Sequence, residues 1–186
     1  MRYDLPTSVT INEVKYAINT DFRCILDIME VLSDNELTDR ERAFFALGFF
    51  YPEVELKTAS KEFLEEAVKQ FFWFINGGEE EKNSKKQPKV VDWQQDFPHI
   101  IAPVNRVFGH DIRSDSYVHW WTFLSAYMEI GECLFSQIVS IRHKRATGKK
   151  LEKYEKDWYR QNRKLVDFKV ERKYTAEDFE FFKSIK

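Results

Sequence analysis

Residues 92–142, DWQQDFPHIIAPVNRVFGHDIRSDSYVHWWTFLSAYMEIGECLFSQIVSIR, decide how the chain reads. The stretch holds three of the five Trp and three of the four His, and its apolar residues recur at helical spacing between short polar turns. Asp92 opens a helix, with Gln95 three residues on as a capping-box partner. Pro98 and Pro103 each remove an amide donor and crowd the carbonyl four residues earlier, which predicts a kink or break near Phe97 or Ala102. Gly109 ends that helix. After the turn GHDIRSD, a second helix carries Tyr117, Trp120, Trp121, Leu124, Tyr127 and Met128 on one face, and a third follows Gly131 with Leu134, Phe135, Ile138 and Val139.

Upstream, the alternation Val9, Ile11, then Asn12-Glu13, then Val14, Tyr16 and Ile18 predicts a small hairpin with Asn12 in its turn, although the turn lacks the Gly that such connections favour. Thr20 is placed to cap a helix from Asp21 with Phe22, Ile25, Leu26, Met29 and Leu32 on one face, ending near Ser33 to Asn35. Thr38 and Glu41 form a capping box for a short helix through Phe44, Leu47 and Phe50, stopped at Pro52. The next helix, Ser60 to Asn76, has Phe63, Leu64, Ala67, Val68, Phe71, Phe72 and Ile75 as its stripe and Gly77 as a left-handed cap. Trp73 and Phe74 lie off the centre of that stripe, which predicts a second packing surface. Residues 77–89, GGEEEKNSKKQPK, have no apolar residue and read as a solvated linker.

Downstream, Leu151, Tyr154, Trp158, Leu165 and Phe168 mark a narrow, roughly heptad-spaced seam on one basic helix, with Gln161 as its polar gap. Such a seam lies against something rather than inside a core. A weak cap at Thr175 precedes a last short turn through Phe179, Phe182 and Ile185. The whole reads as a mainly α protein: a compact multi-helix bundle with a small N-terminal β-hairpin and a basic C-terminal helix. Its segments are 1–76, a charged linker 77–91, a central aromatic unit 92–148, and 149–186.

A chain of 186 residues buries a core without staples, and 17 Phe with only 6 Gly and 5 Pro favour long regular elements. Cys24 and Cys133 lack CxxC spacing and read as buried free thiols. The N-terminal MRYDLPTSVT carries no signal-peptide apolar run, and no stretch approaches a membrane span, so the expectation is a soluble intracellular protein. Net charge is -2, yet residues 1–81 carry 8 Lys and Arg against 17 Asp and Glu, whereas residues 142–173 carry 13 against 5. An acidic front and a basic tail invite self-docking or two different partners.

Candidate chemistry is sparse. His99, His110 and His119, with Asp111 and Asp115, match no metal-binding spacing, so no metal or cofactor is expected. No Ser or Cys is paired with a base, and no Gly-rich loop cradles phosphate, so catalysis is not expected. Arg142, Lys144 and Arg145 open the basic segment, with Tyr154, Trp158 and Tyr159 interleaved. That pattern keeps nucleic-acid binding open as the alternative to protein contact, against a sequence pI near 6.1. At helical spacing Trp121 reads as core, and Trp120 is left open between core and contact.

Ile18-Asn19-Thr20-Asp21-Phe22-Arg23, then Asp92-Trp93 to Asp96, Gly109-His110-Asp111-Ile112, His119-Trp120-Trp121-Thr122-Phe123 and Ile138 to Arg142 together resemble the small siphophage family named after gene product fifteen. Pro98 and Pro103 depart from the smoother helix of that family's pattern. The resemblance implies a phage or prophage protein encoded between the tail tube and tape-measure genes, acting as a tail assembly chaperone that coats the tape-measure protein and is absent from the finished virion. The partner it implies is the tape-measure protein, with the tail tube protein and a second copy of the chain as further candidates. The contact residues expected on this reading are Trp73, Phe74, Trp120, Tyr154, Trp158 and Leu165, with Arg142, Lys144 and Arg145. Nucleic-acid binding and a minor structural role in the tail stand as alternatives.

Overall fold

Alternating Val9 and Ile11 face inward from strand β1, Ser8–Ile11, which pairs antiparallel with β2, Val14–Ala17. A computed structural model shows this hairpin and describes residues 4–79 and 88–169. Ser8 lies opposite Ala17 and Ile11 opposite Val14, so Asn12 and Glu13 alone make the turn. Both have positive φ, 49° and 66°, the geometry of a type I′ connection. Tyr16 meets Phe63 edge-on at 5.2 Å and ties the hairpin to a helix below it.

Eight α-helices follow among the described residues. Helix α1, Phe22–Ser33, is capped by Asp21, which accepts from the Arg23 amide at 2.9 Å. The cap is therefore Asp21 and not Thr20, whose hydroxyl is engaged 2.6 Å from the Tyr117 hydroxyl. Helix α2, Asp39–Phe50, starts with the Thr38–Glu41 capping box. Helix α3, Lys61–Ile75, is capped by Ser60 and followed by Gly77 at φ 70°.

Helix α4, Trp93–Phe108, runs unbroken through both prolines to Gly109, which caps it at φ 80°. Of the kink or break expected near Phe97 or Ala102, the break does not occur. Ile100, Ile101 and Val104 are buried on this helix, each worth about 1.5–3 kcal/mol, which offsets a proline cost of about 3 kcal/mol. Asp92 accepts from the Gln95 amide at 3.0 Å, but the return bond to the Asp92 amide comes from Asp96, at 2.9 Å. Gln95 instead reaches the Asp167 carbonyl at 3.0 Å and accepts from the Lys169 amide at 2.8 Å.

A 3-10 turn at Ile112–Ser114 leads to α5, Trp120–Met128, with Tyr117 outside the helix, and then to α6, Leu134–Ala146. The basic C-terminal segment is two helices, α7, Lys153–Gln161, and α8, Arg163–Val166, not one. Asn162 turns its side-chain amide onto the Trp158 carbonyl at 3.0 Å and leaves helical geometry, so a seam from Tyr154 to Phe168 cannot lie on one face. The expected turn through Phe179 and Ile185, and most of the charged linker, lie outside the described residues.

One core joins these pieces, drawing buried side chains from Val9 to Phe135 and thus from both sides of residues 77–91. At its centre Phe22 stacks on Phe123 with ring centroids 4.9 Å apart, and Phe50 meets Phe71 edge-on at 5.1 Å. No described helix is long and apolar enough to cross a membrane.

Candidate functional site

Asp21 fastens the front of the sequence to its centre. Besides capping α1, its carboxylate accepts from the Val118 amide at 3.1 Å, and the Arg23 guanidinium folds back onto it at 2.9 Å. Arg23 also donates to the Asp115 carbonyl at 2.6 Å. Alongside, the Phe22 amide donates to the Val118 carbonyl and the Trp120 amide to the Thr20 carbonyl, an isolated antiparallel bridge between Asp21 and His119. The motif blocks at 18–23 and 109–123 are therefore one piece of structure.

The histidines do not converge. His119 is buried and caps α5: its Nδ1 accepts from the Trp121 amide at 3.0 Å, which leaves Nε2 to donate to the Pro6 carbonyl at 2.9 Å. His110 faces the Asp115 carboxylate at 2.9 Å on the surface, and that hydrogen bond raises its pKa. Asp111 is engaged elsewhere, by the Arg113 guanidinium and amide, which hold its carboxyl well below the usual range. Among the described residues no group of three or more His, Cys, Asp or Glu is placed to hold a metal ion. Cys24 and Cys133 are free and half-buried. Burial, with help from Asp27 and Asp21, pushes the Cys24 thiol up, which makes it a poor nucleophile.

The adjacent tryptophans serve the end of α3. Trp120 Nε1 donates to the Ile75 carbonyl at 2.9 Å and Trp121 Nε1 to the Phe74 carbonyl at 2.8 Å. Two indoles thus donate into the C-terminal end of α3: Trp120 serves the Ile75 carbonyl, and Trp121 shares the Phe74 carbonyl with the Gly77 amide, which donates to it at 3.1 Å. Phe74 and Trp120 are fully enclosed, and half-buried Trp73 meets Trp121 edge-on at 5.3 Å. The surface expected from Trp73, Phe74 and Trp120 is corrected accordingly: Phe74 and Trp120 are core, because Phe50 of α2 packs on Phe74 from one side and the start of α5 covers the end of α3 from the other.

The cations of the basic segment are similarly engaged. Arg142 is buried, with all five N–H donors satisfied: two reach Asp96, at 2.6 and 3.0 Å, and the others reach the carbonyls of Val90, Leu165 and Val166. Phe168 lies over the guanidinium at 4.2 Å. Arg142 is thereby removed from the expected contact surface. Lys144 pairs with Glu155 at 2.6 Å, which holds that carboxyl low, and Arg145 pairs with Asp167. Trp158 and Leu165 are half-buried, and Tyr154 alone of the expected aromatic contacts is strongly exposed, at 67%.

Three exposed phenylalanines share one side of α2. Phe44, Phe45 and Phe49 are 39%, 45% and 50% exposed, while Ala46, Leu47 and Phe50 on the other side of the helix are buried. A shallow recess of about 380 Å3 between α1 and α2 is lined by Asp27, Glu30, Val31, Asp34 and Phe49. A second, of about 370 Å3, shares Asp27 and Glu30 and continues over Leu26, Trp93 and Phe97 toward Arg23 and Arg113. The sequence held a signal for this face: DRERAFFALGFF has apolar residues on more sides than one stripe uses.

The chain was compared with known families, curated proteins and solved structures. A family model described as Bacteriophage Gp15 protein matches residues 1–168, which take in every motif block that meets at Asp21 and Arg142. Neither the curated proteins nor the solved structures gave a match. On a match over nearly the whole length, the chain belongs to the Bacteriophage Gp15 protein family and is a phage protein.

Proposed function

We propose that this phage protein is a tail assembly chaperone that binds and masks the tape-measure protein in the host cytoplasm while the tail forms, without catalysis. The observation that carries the reading is the outward face of α2, where three phenylalanines stand in water beside a core that takes up most of the other aromatics. An apolar face of this kind marks an interaction site. A tape measure is a long helical chain with apolar stripes, and a helical protein with spare aromatic surface covers such stripes reversibly. Nucleic-acid binding is not proposed, because Arg142, Lys144 and Arg145 are each held by a carboxylate.

Co-expression with the neighbouring tape-measure protein tests the reading. A soluble complex that elutes as one species supports it; a client that stays equally insoluble, with no complex, overturns it. Purified virions lack the protein on this reading, and its presence there in fixed copy number makes it a tail component instead.

A further inference from the structure

We infer that the acid-flanked aromatic face of α1 and α2 is the client-docking site, and that it takes a basic amphipathic helix. The proposal rests on the chaperone reading only for the identity of the client. Asp27, Glu30 and Val31 fall at i, i+3 and i+4 and so form one ridge of α1, continued just past the helix end by its extended capping residue Asp34, beside Phe49. Phe45 stands one turn before Phe49 on α2, and Phe44 meets Phe45 edge-on at 5.9 Å. The result is an apolar strip bordered by three carboxylates.

Those carboxylates repel one another at these spacings, and among the described residues none of the three forms an ion pair. A partner with Lys or Arg beside an apolar stripe relieves the repulsion and covers the phenylalanines in one step. Helical rather than extended geometry follows from the strip itself, because ridges at helical spacing accept a second helix between them. The basic segment as far as it is described, through residue 169, is not the occupant in cis, since Arg142 holds residues 165 and 166 against α4 and α6. A second copy is a poor fit: Tyr154 is the one strongly exposed apolar side chain on its α7, and the same α1–α2 face of a second copy would set like-charged carboxylates against one another.

The test uses the full chain and two synthetic helical peptides with the same Leu stripe, one flanked by Lys and one by Glu. The Leu/Lys peptide is expected to bind and the Leu/Glu peptide not to bind. Phe45→Ser with Phe49→Ser, and separately Asp27→Asn with Glu30→Gln, are expected to weaken binding about tenfold or more, a change of about 1.4 kcal/mol per tenfold. Glu129→Gln with Glu132→Gln makes the same change in charge away from the strip and is expected to leave binding intact. Equal binding of both peptides, or equal loss in that control, overturns the proposal. So does conversion of an oligomer to a monomer by the two Phe substitutions, which assigns the face to a second copy. Co-expression separates the two claims. Client rescue by wild type and not by the strip variants supports both; equal rescue by all overturns the strip alone. Peptide binding without any rescue by wild type upholds the strip and overturns the chaperone reading.

Discussion

Arg142 donates twice to the fully buried carboxylate of Asp96, and the pair sits where four stretches of chain meet. Removing one member strands the other in the interior, so Arg142→Met is expected to lower stability by about 3–5 kcal/mol. Replacing both, as Asp96→Leu with Arg142→Met, is expected to cost less than the sum of the single changes, because no unpaired charge remains. Urea unfolding of the three variants measures the coupling, and strict additivity refutes it.

Gly78 has φ 90°, and a Cβ there would lie 2.8 Å from the Trp121 ring. Gly78→Ala is therefore expected to cost more than the conformational penalty of about 1–2 kcal/mol alone. Gly109 supplies the comparison: at φ 80° with nothing within 4 Å of a Cβ, Gly109→Ala carries the conformational part only. Thermal melts are expected to rank Gly78→Ala below Gly109→Ala, with a shifted Trp emission in the former alone.

Glu13 occupies the second turn position of the hairpin at φ 66°, where an L side chain is disfavoured. Glu13→Gly is expected to raise stability by about 1 kcal/mol, read as a higher urea midpoint at unchanged slope.

The Asp115 hydrogen bond raises the pKa of His110 in the folded chain above the unfolded value of about 6.5. The protonated ring is thus favoured by folding. Its contribution is fully present below about pH 6.5 and is lost as pH rises through the folded value. His110→Gln is expected to flatten the decline in stability as pH rises above about 6.5. An NMR titration of the ring protons reports the folded pKa directly, and a value at or below 6.5 refutes the assignment.

Local chemistry was the readable part of this sequence. The Thr38–Glu41 box, the Gly109 stop and the hairpin turn at Asn12-Glu13 are short-range devices, and each stands where spacing placed it. What spacing could not give was the partner of each long side chain. The sequence reads Trp121 as core and leaves Trp120 open, yet Trp120 is the enclosed ring and Trp121 is half-buried, because which of them is core depends on where the α3 carbonyls end up. Arg142, Lys144 and Arg145 read as a basic cluster until tertiary folding brings Asp96, Asp167 and Glu155 to them. In α2 the ambiguity runs the other way, since one stripe through Phe44, Leu47 and Phe50 is enough to explain a helix, and Phe45 and Phe49 lie off it. The break at Asn162 turns on a single side chain competing for a helical carbonyl, a balance too fine for periodicity to register.

The core that runs from Val9 to Phe135 crosses the stretch between Glu79 and Pro88. A single peptide cleavage there would not release two modules. It would produce an obligate heterodimer, in which Phe22 on one fragment and Phe123 on the other still stack, and the stability of that nicked protein would rise with its concentration where the intact chain's does not.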